Sequence, residues 1–171
     1  LVSHRLRLSE CTLTTSCTSV NPIIKGDPGK LGQVIANLAV NSIDAYKAAG
    51  KAGDIRIEVT GDDEVLGIQV TDDGSGIPPE QLTKIFDELF TTKPLGEGTG
   101  LGLSISRDII TNFFAGTISV ESVVGQGTTF TLRLPRQHTS PILQPSGSEG
   151  DPVSMPSISD WAADGPNRYA A

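Results

Sequence analysis

Two stretches of this chain alternate apolar and polar residues with a period of two, and each is broken once by a short turn. Ile55–Thr60 and Leu66–Asp72 flank Gly61-Asp62-Asp63-Glu64, while Thr117–Ser122 and Thr128–Leu134 flank Val123-Val124-Gly125-Gln126-Gly127. Such alternation around a turn predicts two antiparallel hairpins. A helical pattern precedes each. Asp27 followed by Pro28 has the form of an N-cap and first helical residue, and Leu31, Val34, Ile35, Leu38 and Ala45 recur at helical spacing, so a helix is predicted from Pro28 to Ala49, stopped by Gly50. A short helix is predicted over Pro79–Phe86 and a longer one over Leu101–Phe114, closed at Gly116. The order helix, two strands, glycine-rich middle, helix, two strands points to an α+β fold with helices covering one face of a mixed sheet.

At 171 residues, 37% of them hydrophobic, the chain is long enough for one core. The formal net charge of −7 excludes the basic footprint of a nucleic-acid binder. With neither a long apolar run nor a signal-peptide pattern, the reading is a cytoplasmic domain without direct membrane contact. Cys11 and Cys17, six apart, would share a strand face and lack metal-ligand spacing, which marks them as free thiols. Residues 1–19 read as an N-terminal remnant or edge strand, and 20–136 as the globular domain. Residues 137–171, rich in Ser, Pro and Gly, read as a disordered tail in which Trp161–Ala163 is a stray apolar cluster.

Three segments carry candidate chemistry. Gln33, Asn37, Asn41 and Asp44 fall within an arc of about 80° on the first helix, at 100° per residue. Such a stripe is either a solvated face or a set of oxygen ligands for Mg²⁺. Asp72-Asp73-Gly74-Ser75-Gly76-Ile77-Pro78 directly follows a strand. It suits either a tight turn or a site where backbone approaches a flat ligand while a carboxylate accepts from an amine such as that of adenine. Gly96-Glu97-Gly98-Thr99-Gly100-Leu101-Gly102-Leu103 runs into a helix start, as phosphate cradles do, but has neither Rossmann spacing nor a Walker lysine. Lys93, just upstream, is a cation for terminal phosphates or a plain surface lysine.

Taken in order, these segments resemble one known superfamily. NLAVNSIDA resembles the N box of the GHKL ATPases and kinases, DDGSGIP its first glycine box, KIFDELFTTKP the F box of sensor histidine kinases, and GEGTGLGLSIS the second glycine box. The final hairpin resembles the closing strands of the same domain, and the likeness spans Lys25 to Pro135. It implies the Bergerat fold, a two-layer α/β sandwich whose mostly antiparallel sheet is covered on one face, with ATP and Mg²⁺ as ligands. Carried over position by position, it assigns Asn41 to Mg²⁺ with Asn37 beside it, and Asp72 to the adenine amine with Thr128 backing it through water. Gly74, Gly76 and Ile77 would line the base. Gly98, Thr99, Gly100, Leu101 and Gly102 would hold the phosphates, Asp44 would lie near them and Lys93 would meet the terminal one. Residues from Phe86 to Gly98 would form a mobile lid. Catalysis would rest on Asn37, Asn41 and Lys93.

Three positions depart from the superfamily pattern. Asp44 stands where many sensor kinases carry a basic residue, Ile109–Gly116 lacks the common His-Gly-Gly ending, and Glu88-Leu89-Phe90 replaces Glu-Pro-Phe, a change expected to alter lid movement. Ser3-His4-Arg5-Leu6-Arg7-Leu8 only faintly echoes a phosphoacceptor box. Asn41 follows His4 by 37 positions, whereas a two-helix hairpin takes on the order of 60 residues. His4 and His138 are therefore expected not to reach the γ-phosphate. The implied partner is a histidine-bearing dimerisation domain of the parent kinase outside this chain, with a response regulator downstream; the parent would be either soluble or membrane-bound. The alternatives are an ATPase of the gyrase, MutL or heat-shock chaperone kind, a serine-directed anti-sigma kinase, and a nucleotide-sensing module without turnover.

Overall fold

The computed structural model describes residues 5–6, 9–93, 98–136 and 153–154. Strand β1 (Thr12–Cys17) and the short β2 (Ile23–Ile24) lead into helix α1 (Pro28–Ala49). Asp27 caps that helix by accepting from the Gly29 and Lys30 N–H groups, and Gly50 ends it in the left-handed conformation, so both predicted boundaries hold. Strands β3 (Asp54–Gly61) and β4 (Val65–Asp72) form the first hairpin, with the turn held by Asp62 Oδ1 accepting from Glu64 and Val65 N–H at 2.9 Å each. Helix α2 (Pro79–Leu82), helix α3 (Gly102–Asp108) with its π turn (Ile109–Phe113), and the hairpin β5 (Thr117–Val123) and β6 (Gly127–Pro135) complete the domain.

The main sheet has the order β1-β3-β4-β6-β5, parallel only between β1 and β3. Along the central strands Leu66, Ile68, Val70, Phe130, Leu132 and Leu134 point one way and are buried. Their alternates, among them Gln69, Thr71 and Arg133, lie on the opposite, polar face. Leu31, Val34, Leu38, Ile43 and Tyr46 of α1 cover the apolar face in one cluster with these strands. Full burial of each such side chain is worth roughly 1.5–3 kcal/mol. This is the expected α+β sandwich. Among the described residues no helix is long and apolar enough to cross a membrane.

Four expectations need adjustment. The helix over Pro79–Phe86 is cut to Pro79–Leu82. Successive turns follow it, with Lys84 and Ile85 N–H bonding the Gln81 carbonyl, and they bury Ile85 and set Phe86 edge-on to Phe130 at 6.5 Å. The helix over Leu101–Phe114 is α only to Asp108 and then widens, its Phe114 N–H reaching the Ile109 carbonyl five residues back. Its left-handed closing residue is Ala115, φ 51°, and not Gly116. Gly116 is required for another reason: a Cβ there would lie 2.5 Å from the Arg133 carbonyl oxygen. Cys11 and Cys17 are free but do not share a strand face, since Cys11 is buried ahead of β1 and Cys17 is exposed at its end.

Of the tail, only β7 (Val153–Ser154) is described, paired antiparallel with β2. The rest of the tail, Trp161–Ala163, His4, His138 and lid residues 94–97 lie outside the described residues.

Candidate functional site

The C-terminal end of β4 meets α1 at a buried carboxylate. Asp72 is 4% exposed, and both its oxygens are engaged: Ser42 Oγ donates to Oδ2 at 2.8 Å and the Gly74 N–H donates to Oδ1 at 3.0 Å. Burial pushes the Asp72 carboxyl above its ordinary value, and the bonds from Ser42, Gly74 and the Thr128 main chain partly offset that. Thr128 pairs with Asp72 across the β4–β6 ladder, and both side chains lie on the covered face.

The loop after Asp72 is fastened on two sides. Tyr46 Oη lies 2.5 Å from Asp73 Oδ1 and accepts from the Asp73 N–H at 3.2 Å, while the Ser75 N–H donates to the Ala45 carbonyl. On the other side the Ile77 N–H donates to Ser122 Oγ at 2.8 Å. Gly76, φ 68°, cannot be replaced cheaply because a Cβ would lie 2.2 Å from the Val123 carbonyl oxygen. Gly74 packs on Ala45, whose Cβ would lie 2.7 Å from a Cβ placed there. Ser42, Tyr46, Asp73 and Ser122 were missed in the sequence reading. Only the adjacency of Ser42 to Asn41 and of Asp73 to Asp72 offered a signal; Tyr46 and Ser122 offered none.

The polar stripe of α1 faces the second glycine segment. Asn37 Nδ2 donates to the Gly102 carbonyl at 3.2 Å and to Ser106 Oγ at 3.3 Å, so its donors bind α1 to the start of α3 and its Oδ1 stays open to accept. Asn41 is half-buried, and its side chain has no hydrogen-bond partner among the described residues. A half-buried amide without a partner suits a hard cation that accepts one carbonyl oxygen. Among the described residues no cluster of three His, Cys, Asp or Glu could hold a metal alone. A cation here would therefore draw its other ligands from phosphate and water, as Mg²⁺ does.

Gln33, at the outer end of the stripe, is exposed. Asp44, at the inner end, is the counterion of Lys93, whose Nζ lies 2.5 Å from Asp44 Oδ2. Gly98 sits against the Lys93 stem. Gly100, φ 66°, abuts the Leu89 backbone, where a Cβ would come within 2.4 Å of the Leu89 carbonyl carbon. Leu89 itself has φ 63°, which proline cannot adopt because its ring holds φ near about −65°. The Glu-Leu-Phe departure is thus a backbone requirement here. Thr99 and Leu101 stay at the surface, joined by a bond from the Leu101 N–H to Thr99 Oγ1 at 3.3 Å.

The structure therefore brings the candidate residues together in two adjoining groups along α1. One holds Asp72, Gly74, Gly76, Ile77 and Thr128, and the other Asn37, Asn41, Asp44, Lys93, Gly98 and Gly102. A depression of about 230 Å³ beside Asp72 and Thr128 opens instead toward Arg56 and Glu121 on the polar side of the sheet. It is smaller than the roughly 300–1,000 Å³ that ligand pockets occupy.

Comparison with known proteins bears on the family and the fold. The profile of the histidine kinase-, DNA gyrase B-, and HSP90-like ATPases matches residues 26–138. The sensor histidine kinase ZraS of Salmonella typhimurium is 42% identical over 137 residues, 79% of this chain and 28% of ZraS. AtoS, a signal transduction histidine-protein kinase of Escherichia coli, is 44% identical over 113 residues, 66% of this chain and 18% of AtoS. The chain thus spans under a third of these relatives' length. The solved catalytic domain of the histidine kinase ThkA, nucleotide-free, superposes with a TM-score of 0.66 at 31% identity over 78% of this chain and 85% of that domain.

Proposed function

The chain belongs to the family of histidine kinase-, DNA gyrase B-, and HSP90-like ATPases, and from that membership we propose that it binds Mg·ATP and donates the γ-phosphoryl group to a histidine on a separate dimerisation domain of a sensor kinase. A response regulator would receive the group in turn. In this reading Asp72 accepts from the adenine amine, with Thr128 behind it and Gly74, Gly76 and Ile77 along the base. The main-chain N–H groups of Gly98, Thr99, Gly100 and Gly102 would face the phosphates, and that of Leu101 would join them on leaving Thr99 Oγ1. Asn41, seconded by Asn37, offers amide oxygen to Mg²⁺, which when bound neutralises charge on the phosphates. Lys93 meets the terminal phosphate. The protein's share of the chemistry is positioning and charge neutralisation.

One observation favours transfer over hydrolysis. Where a water-activating base would face the phosphate segment, α1 carries Asn37, an amide spent on Gly102 and Ser106 that accepts no proton. The test is incubation of this chain with γ-labelled ATP, alone and with the helical hairpin of its parent kinase. Acid-labile label on the hairpin histidine, none on the chain alone, and weakened nucleotide binding in Asn41→Ala are expected. ATP binding without transfer to an intact hairpin would instead favour a nucleotide-sensing module, and release of phosphate in place of transfer would favour an ATPase.

A further inference from the structure

Lys93 spans the space between the phosphate segment and the cation helix. Its stem lies against Gly98, where a Cβ would meet Lys93 Cδ at 3.0 Å, and its ammonium ends on Asp44 Oδ2 at 2.5 Å, one turn along α1 from Asn41. Arg5 Nη1 approaches the same oxygen at 3.5 Å. The Lys93 and Asp44 side chains are 32% and 20% exposed, so the pair is neither dry nor free in solvent. A partly exposed pair of this kind is weak enough to exchange partners. Lysine suits exchange, being a point charge on a flexible stem with three donors that serve carboxylate or phosphate equally.

We propose that Asp44 is a positioning residue that holds Lys93 while the site is free of nucleotide and yields it to the terminal phosphate of a nucleoside triphosphate. The exchange sets how strongly the site prefers a triphosphate over a diphosphate. The inference rests on the proposed placement of Lys93 at the terminal phosphate. Asp44 then opposes triphosphate binding by the free energy of its pair with Lys93 and leaves diphosphate binding, which never reaches Lys93, nearly untouched. Arg5 remains beside Asp44 as its second cation, so the carboxylate is not left unpaired when Lys93 departs.

A double-mutant cycle on the full chain tests this, with calorimetric titration of Mg·ATP and Mg·ADP into wild type, Asp44→Asn, Lys93→Gln and the double variant. Asp44→Asn should raise ATP affinity about three- to fivefold, the upper end of what a partly exposed ion pair contributes. It should change ADP affinity by less than about twofold, and in the Lys93→Gln background it should change ATP affinity by less than about twofold. An equal gain with and without Lys93 would mean plain charge repulsion and overturn the exchange. A loss of affinity in Asp44→Asn would overturn it too, since Asp44 would then serve the cation directly. Wild type that binds ATP normally while Asp44→Asn changes nothing removes this inference alone, whereas wild type that binds neither nucleotide removes the proposed function and this inference with it.

Discussion

Ser42 Oγ donates to Asp72 Oδ2 at 2.8 Å across the interface between α1 and β4, and the two residues are 1% and 4% exposed. The bond fixes the rotamer of a carboxylate that the fold has removed from water. It also ties the turn of α1 that carries Asn41 to the strand end bearing the base-binding candidate.

Ser42→Ala removes that bond and leaves Asp72 Oδ2 short of a donor. A hydrogen bond to a buried charge is worth about 1.5–3 kcal/mol, so a loss of that order is expected in urea unfolding. Discrimination between ATP and GTP should fall with it, because the carboxylate is no longer held in place. Unchanged stability together with unchanged discrimination would refute the role.

Adjacent carboxylates should show opposite pH signatures. Burial raises the Asp72 carboxyl above 3.8, so only between 3.8 and that raised value does the native chain hold a proton that the unfolded chain has released. Its contribution therefore makes stability fall as pH rises from 3.8 through the raised native value. Asp73 is lowered from 3.8, chiefly by the Tyr46 hydroxyl. Its contribution is present above 3.8 and is lost as pH falls through the lowered native value. Urea midpoints from about pH 3 to about pH 7 should show Asp72→Asn removing the first dependence and Tyr46→Phe the second. The same slope change from both variants would contradict the assignment.

Leu89 is 71% exposed and sits at φ 63°. A left-handed non-glycine residue is strained by about 1–2 kcal/mol. Leu89→Gly should stabilise the domain by about 1 kcal/mol, and Leu89→Pro should destabilise it by more than about 1 kcal/mol. Thermal melts check both, and tolerance of proline would show that this backbone conformation is not required.

The neighbouring pair Ala115 and Gly116 should respond with opposite signs. Ala115→Gly relieves φ 51° and should gain about 1 kcal/mol. Gly116→Ala drives a Cβ to 2.5 Å from the Arg133 carbonyl oxygen and should cost at least about 1 kcal/mol through displacement of β6. A stabilised Gly116→Ala would mean that Gly116 is not pressed against β6, and a destabilised Ala115→Gly that the left-handed conformation of Ala115 carries no strain.

Much of the fold was legible because its signals are local. The capping side chain of Asp27 bonds residues two and three positions away, and Gly50 ends α1 through bonds to Lys47 and Tyr46. The alternation in β3, β4 and β6 reports directly which side chains face α1. The end of the second long helix was misread because Gly116 is the stronger local stop signal, while the chain spends that glycine on closeness to β6 and lets Ala115 take the strained conformation. Pro79–Phe86 was read too long because its composition permits a helix, whereas burial of Ile85 requires turns.

By itself the sequence determined the order of the long helices and the two hairpins, the caps of the first helix, the apolar face of the sheet and the segments that hold the candidate chemistry, since each depends on residues a few positions apart. Tertiary structure decided the partners. Ser42 meets Asp72 thirty positions away, Lys93 meets Asp44 forty-nine away and Asn37 meets Gly102 sixty-five away. No local pattern encodes such pairs, because they exist only once the register of the sheet and the packing of α1 against it have brought distant backbone into hydrogen-bonding range.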